Sequence, residues 1–280
     1  MISNALTIAG SDSGGGAGIQ ADLKTFSALG VYGASVVTAV TAQNTREVRA
    51  IHAVPPAFVA QQIDAVTDDI RIDAVKLGML GSATVIEAVA ERIQTERLRQ
   101  VVLDPVMVAK SGDKLLRDDA VEALRRTLLP GVSVITPNLP EAAVLLDDVP
   151  INDVGEMESV ARRLLALGPT YVLLKGGHLA GNQCPDLLVS NDEQHWFQAE
   201  RIATKNTHGT GCTLSSATAA WLARGETMPS AVAKAKAYLD AALRCADELS
   251  VGHGHGPVQH FHASWPKTLR QGAPKNVDSI

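Results

Sequence analysis

Apolar runs too short to be helices alternate with amphipathic stretches along almost the whole chain. This alternation limits the fold more than any other feature of the sequence. Segments 5–9, 34–40, 73–77, 101–103, 133–135 and 171–174 are brief and aliphatic, which predicts buried strands. Between them, 18–29, 56–68, 83–98, 118–128 and 154–167 predict helices. In the first of these, Ile19, Leu23 and Phe26 recur at helical spacing, and Gly30 supplies the stop. Such repetition predicts an α/β fold whose mostly parallel sheet is covered by helices on both faces. Segments 186–190 and 194–199 break the rhythm. Joined by Asn191-Asp192-Glu193, they predict a small hairpin insertion. Helices over 211–224 and 229–249 close the pattern. No repeat or linker divides the chain, so a single domain is expected over residues 1–266. The stretch 267–280 is polar and aperiodic, which predicts disorder.

Composition narrows the function by exclusion. The 280 residues carry a net charge of −5, which argues against nucleic acid or an anionic membrane as partner. Cys184, Cys212 and Cys245 are far apart, with neither a disulfide framework nor zinc spacing, and suit a reducing compartment. No signal-peptide pattern and no run of membrane-spanning length is evident, so a cytoplasmic location is expected.

Ligands of open α/β sheets bind beyond the carboxyl ends of the strands. In this chain the chemistry-bearing residues gather there. The stretch Thr204-Lys205-Asn206-Thr207-His208-Gly209-Thr210-Gly211-Cys212 leads into a helix, so its backbone amides form a ready anion site. Cys212 shares that field, which lowers a thiol pKa, whereas a bound phosphate raises it. The glycine-rich loop 10–18 follows the first strand and lets a ligand approach the backbone. Gly16-Ala17-Gly18-Ile19-Gln20-Ala21 fits the looser dinucleotide pattern G-x-G-x-x-A, but the loop before it is long and no acid ends the next strand, so a dinucleotide site is poorly supported; the P-loop pattern is absent. Asp22 reads equally as a charge favouring the helix start and as an acceptor for a ligand amine. Gln43 offers acceptor and donors in one plane, suited to a heterocycle, or is a turn residue. Met79 packs on a flat ring or in the core. Asp104 ends a strand where it suits Mg²⁺. Asn138 and Glu141 form a helix start or face metal and phosphate. Lys175 suits phosphate. Together these strand ends point to phosphoryl transfer. A Cys212–His208 nucleophilic pair is a rival, though no third orienting residue is evident. The pairs His253/His255 and His260/His262 read as a metal tract or a packed loop.

The chain resembles the hydroxymethylpyrimidine/phosphomethylpyrimidine kinases of thiamine biosynthesis, in the ribokinase-like superfamily. The likeness spans about residues 5–265. It rests on Thr7-Ile8-Ala9-Gly10-Ser11-Asp12, the run from Gly16 to Lys24, Thr41-Ala42-Gln43-Asn44-Thr45, Lys110-Ser111-Gly112, the run from Thr136 to Ala142, Lys175-Gly176-Gly177-His178, the Cys212 segment and the run from Gly252 to Val258. The resemblance implies a three-layer fold and two ATP- and Mg²⁺-dependent phosphorylations of 4-amino-5-hydroxymethyl-2-methylpyrimidine. It implies Gln43 on the pyrimidine edge, with Ala17, Asp22, Met79 and Val106 lining the pocket and Lys236 on substrate or phosphate. Asn138, Glu141, Lys175 and Thr210 would serve ATP, and Glu141 and Asp104 the metal. Gly209 and Gly211 would cradle the transferred group, with Cys212 as base. A homodimer is implied as well. The superfamily usually has an Asp where this chain has Cys212, a departure shared by these kinases. A pyridoxal kinase of the same fold and a non-catalytic pyrimidine-binding protein are the alternatives.

Overall fold

The computed structural model describes residues 1–107 and 118–265. The Lys110-Ser111-Gly112 motif and the 267–280 tail lie outside the described residues. Nine strands form one sheet in the order β3-β2-β1-β4-β5-β6-β7-β8-β9. They are β1 (Asn4–Ser11), β2 (Tyr32–Gln43), β3 (Val48–Ala53), β4 (Ala74–Leu77), β5 (Val101–Leu103), β6 (Val134–Ile135), β7 (Tyr171–Lys175), β8 (Asp186–Val189) and β9 (Gln194–Phe197). β2, β1, β4, β5, β6 and β7 run parallel, while β3 pairs antiparallel with β2, β8 with β7 and β9 with β8.

Period-two alternation divides each central strand between two cores. Leu6, Ile8, Val75, Leu77, Leu103, Ile135, Val172 and Leu174 pack on one side. That side is covered by α2 (Pro56–Thr67), α3 (Ala83–Thr95), α4 (Asp118–Ala123), α5 (Leu139–Leu146) and α6 (Met157–Leu165). Ala5, Ala74, Val102, Val134, Leu173 and Leu188 face the other, under α1 (Gly18–Ala28), α7 (Thr210–Ala223) and α8 (Met228–Arg244). Every residue of α7 from Thr213 to Ala220 is buried, and most are Ala, Ser or Thr. Small side chains let this helix lie close on the sheet, with its N-terminus at the carboxyl ends of β1, β4 and β5.

The structure departs from the sequence expectations in instructive ways. β3 had no sequence signal, because its residues are exposed on both faces and show no alternation. The predicted hairpin does not stand apart: β8 pairs with β7 and continues the central sheet. The helix expected over 118–128 passes into a π-turn at Leu124–Leu128, and that over 229–249 stops at Arg244.

Candidate active site

Beyond the carboxyl ends of the central strands lies a cavity of about 1390 Å³. That exceeds the ~300–1,000 Å³ of a pocket for one small ligand, so two ligands fit side by side. Gly209 and the first turn of α7 stand in its wall. Gly209 has φ +78°, and a Cβ there would collide with the Gly16 carbonyl, so only glycine fits. The amides of Gly211 and Cys212 lie in the first helical turn, where no intrahelical acceptor exists. A Cβ on Gly211 would lie 3.2 Å from Asp104 Oδ2 and 3.5 Å from Lys175 Nζ, so the bare backbone sits against the charged cluster. The Thr210 hydroxyl donates to the Thr207 carbonyl at 2.6 Å and pins the turn.

That cluster is compact. Lys175 Nζ donates to Asp104 Oδ1 at 3.1 Å and lies 4.0 Å from Glu141 Oε2, and Thr136 also donates to Asp104. Asn138 and Glu141 form a reciprocal capping box at the start of α5, both bonds 2.8 Å, and both residues line the cavity. The two readings of that pair are therefore compatible. Burial pushes Glu141 up to about 7; Lys175 opposes this and Asp104 adds to it. Burial also works against the Lys175 charge, but Asp104 and Glu141 outweigh it and hold the ammonium protonated. Two carboxylates sharing one lysine present incompletely neutralised hard oxygen donors. These suit Mg²⁺, which keeps waters and takes substrate phosphates as further ligands. No group of three or more His, Cys, Asp or Glu suited to a metal occurs among the described residues, so the protein alone makes no closed cage.

Cys212 also lines the cavity. The expected lowering of its pKa does not occur: burial pushes the thiol up to about 11, with Asp22 and Asp104 adding, while Lys76 and the Gly18 amide oppose. Burial, the largest of these causes, outweighs Lys76 and the Gly18 amide. Asp22 does not line the cavity. It is fully buried beneath it, accepting from Thr7 at 2.6 Å, Lys76 at 2.9 Å and Ser216 at 2.6 Å. These three donors and its full burial keep its carboxylate away from a ligand in the cavity. Lys76, not singled out in the sequence, is fully buried in β4. Its signal was a charge inside the otherwise apolar Ala74-Val75-Lys76-Leu77.

The remaining expected residues fall on one side. Ala17, Gln43, Met79 and Val106 all line the cavity. Ser13 Oγ accepts from the Gln43 amide and donates to its carbonyl, both at 2.8 Å, leaving the carboxamide at the cavity. Lys236 lines the cavity too, but its ammonium is paired with Asp186, joining α8 to β8. In the glycine-rich loop the amides of Gly14, Gly16 and Ala17 all donate to the Asp12 carboxylate. His208 Nε2 meets that same carboxylate at 2.9 Å, turned toward the N-terminal loop, so the geometry offers no Cys–His dyad. The C-terminal histidines pack as a loop. His255 donates its amide to Thr45, and His260, which burial pushes down to about 3, bonds Thr213. Sequence reasoning also missed the far cavity wall between β9 and α8, where Phe197, Arg201 and Leu243 lie.

A large cleft at the strand ends, an amide-lined helix start and an Asp–Lys–Glu cluster beside it define a ribokinase-like small-molecule kinase. Comparison with known proteins sharpens this. Residues 12–259 match the phosphomethylpyrimidine kinase family, and the chain belongs to it. It is 58% identical over 262 residues to the hydroxymethylpyrimidine/phosphomethylpyrimidine kinase of Escherichia coli, covering 94% of this chain and 98% of that one. It is 54% identical to the thiamine biosynthesis bifunctional protein ThiED of Geobacter sulfurreducens, over 92% of this chain and 52% of that protein. Among solved structures, an ADP complex of Bacillus subtilis pyridoxal kinase superposes with a TM-score of 0.85 at 37% identity, covering 97% of this chain and 100% of that one. No helix of the described residues is long and apolar enough to cross a membrane.

Proposed function

We infer that the chain transfers the γ-phosphoryl group of ATP to the hydroxymethyl oxygen of 4-amino-5-hydroxymethyl-2-methylpyrimidine. It then phosphorylates the monophosphate to the diphosphate, in thiamine biosynthesis. The observation that carries the reading is the anion turn of Gly209 to Cys212, set between Gln43 on one side and the Asp104–Lys175–Glu141 cluster on the other. Gln43 reads the pyrimidine edge through its planar amide. Ala17, Met79 and Val106 wall the ring, and Lys236 steers substrate or phosphate. Asp22 contributes from below, by holding Lys76. Lys175, with Asn138 and Thr210 beside it, serves the ATP phosphates. Asp104 and Glu141 would hold Mg²⁺, which when bound neutralises phosphate charge. The amides of Gly211 and Cys212 stabilise the transferred group. In the transfer the substrate oxygen forms a bond to phosphorus, the bond from phosphorus to ADP breaks, and the hydroxyl proton passes to Cys212 Sγ. Lys76 favours the thiolate that this step needs.

Replacing Cys212 by Ala removes the proton acceptor and is expected to lower turnover about 10²–10⁴-fold while pyrimidine binding persists. Undiminished turnover removes the base role. A second reading, pyridoxal phosphorylation, is favoured by the close superposition on a pyridoxal kinase; the higher identity to pyrimidine kinases favours the first. Steady-state rates with both alcohols separate them. The functional unit is proposed as one kinase domain over 1–266, supported by a single sheet running from Asn4 to Phe197. The free thiols of Cys184 and Cys212 support a reducing, cytoplasmic setting. A homodimer is supported by the open edge of β3 and by exposed Ile51 and Phe58, and light scattering tests it.

A further inference from the structure

Asp12 is 3% exposed and spends its carboxylate on four donors. Gly14, Gly16 and Ala17 give their amides at 2.8, 3.0 and 2.9 Å, and His208 meets Oδ2 at 2.9 Å. Burial would raise this carboxyl, but the His208 hydrogen bond and charge, with the Gly14 and Ala17 amides, more than offset it and hold it below the usual range. Asp12 and His208 are 196 residues apart in sequence, and each abuts a different part of the site. Asp12 shapes the loop that ends at Ala17 and, through Ser13, anchors the backbone of Gln43. His208 immediately precedes Gly209. The two loops also interlock sterically. A Cβ on Gly16 would strike the His208 ring, and one on Gly209 would strike the Gly16 carbonyl. The His208 amide donates to Gly256 at 3.0 Å, so the residue is fixed by both backbone and side chain.

We propose that the Asp12–His208 pair is a positioning clasp that sets the distance between the pyrimidine pocket and the anion turn. Both residues line the cavity, and the pair acts on the transfer step by holding the two loops together rather than by a chemical role. The pyrimidine is gripped by Ala17, Gln43, Met79 and Val106, of which Ala17 and Gln43 are tied to the loop that Asp12 orders. The phosphoryl group is gripped across it. Releasing the clasp loosens the loop that carries Ala17, while Gln43, Met79 and Val106 keep hold of the pyrimidine; the separation from the anion turn then drifts, and a misplacement near 1 Å costs about 10²-fold in rate. The proposal rests on the reading of Gly209 to Cys212 as the phosphoryl cradle.

The test uses the full chain with Mg²⁺, ATP and the hydroxymethylpyrimidine. His208→Ala is expected to lower kcat about 10–100-fold, with KM and the calorimetric Kd for the pyrimidine within about twofold of the parent. His208→Gln, which keeps an N–H near the position of Nε2, should restore most of the loss. Asp12→Asn should weaken kcat in the same way, and the double variant His208→Ala with Asp12→Asn should be no worse than the poorer single one. Hydrogen exchange supplies a readout independent of turnover: His208→Ala should expose the Gly16 and Ala17 amides to faster exchange while α7 stays protected. Parental kcat in His208→Ala, additive losses, or unchanged exchange at Gly16 and Ala17 would each overturn the clasp. A loss that Gln does not rescue would overturn positioning in favour of a chemical role for the imidazole. If the parent leaves the pyrimidine unphosphorylated, the functional reading fails, and hydrogen exchange still decides whether the clasp orders the loop.

Discussion

Replacing Asp22 by Asn probes the floor of the site. Asp22 and Lys76 are both fully buried, and Asn keeps the shape while removing the charge that compensates the ammonium. Breaking a buried pair from one side costs about 3–5 kcal/mol. An independent bound agrees. The variant can relieve the stranded charge by releasing the Lys76 proton when folded, which at pH 7 costs about 1.36 kcal/mol for each of ~3.4 units below a reference near 10.4, or roughly 4.6 kcal/mol. At ~2–3 °C per kcal/mol for a chain of this size, the midpoint falls by about 6–15 °C. The pH dependence carries the diagnostic sign. In the parent the folded Lys76 pKa is raised above its unfolded value, because Asp22 and other negative groups outweigh burial. It is then protonated in both states from pH 7 to 9 and adds no slope. In the variant it is neutral folded and protonated unfolded. The unfolded state then binds more protons, so stability climbs with pH by up to about 1.36 kcal/mol per unit. The gap to the parent should therefore narrow by up to ~2.7 kcal/mol between pH 7 and 9. Urea unfolding at both pH values measures it. A variant within about 0.5 kcal/mol of the parent at pH 7, or a gap that stays constant, refutes the reasoning.

Other consequences are as concrete. With Cys212 pushed up to about 11, single-turnover rates should keep climbing above pH 8, beyond the single inflection that Glu141, near 7, can supply. Cys212→Asp should flatten that alkaline climb, and rapid-quench rates across pH 6–10 check it; a parent profile flat above pH 8 contradicts a high-pKa base. Gly209→Ala forces a side chain into the left-handed region and against Gly16, so thermal melts should show at least about 1–2 kcal/mol of destabilisation with loss of turnover.

Which parts were legible in the sequence follows from how local their causes are. The central strands announced themselves because both faces are buried, as at β4 and β5. β3, exposed on both faces, had no such signature. The Gly209 turn, Lys175 and the Asn138–Glu141 cap were visible because each is built from neighbours in sequence. Asp22 was misplaced at a ligand because its partners, Lys76 and Ser216, lie 54 and 194 residues away. The Cys212 pKa was misjudged for a related reason: the helix end is local, whereas the burial that chiefly raises the thiol, with Asp22 and Asp104 adding to it, arises only in the fold. His208 looked like a partner for Cys212 four residues on, yet its ring turns to Asp12.

Product analysis tests the central claim most directly. The protein is incubated with 4-amino-5-hydroxymethyl-2-methylpyrimidine, ATP and Mg²⁺, and phosphorus NMR follows the products. The account predicts the pyrimidine monophosphate first, then the diphosphate, with matching release of ADP. ADP release without a phosphorylated pyrimidine, or faster consumption of pyridoxal in a parallel reaction, would contradict it.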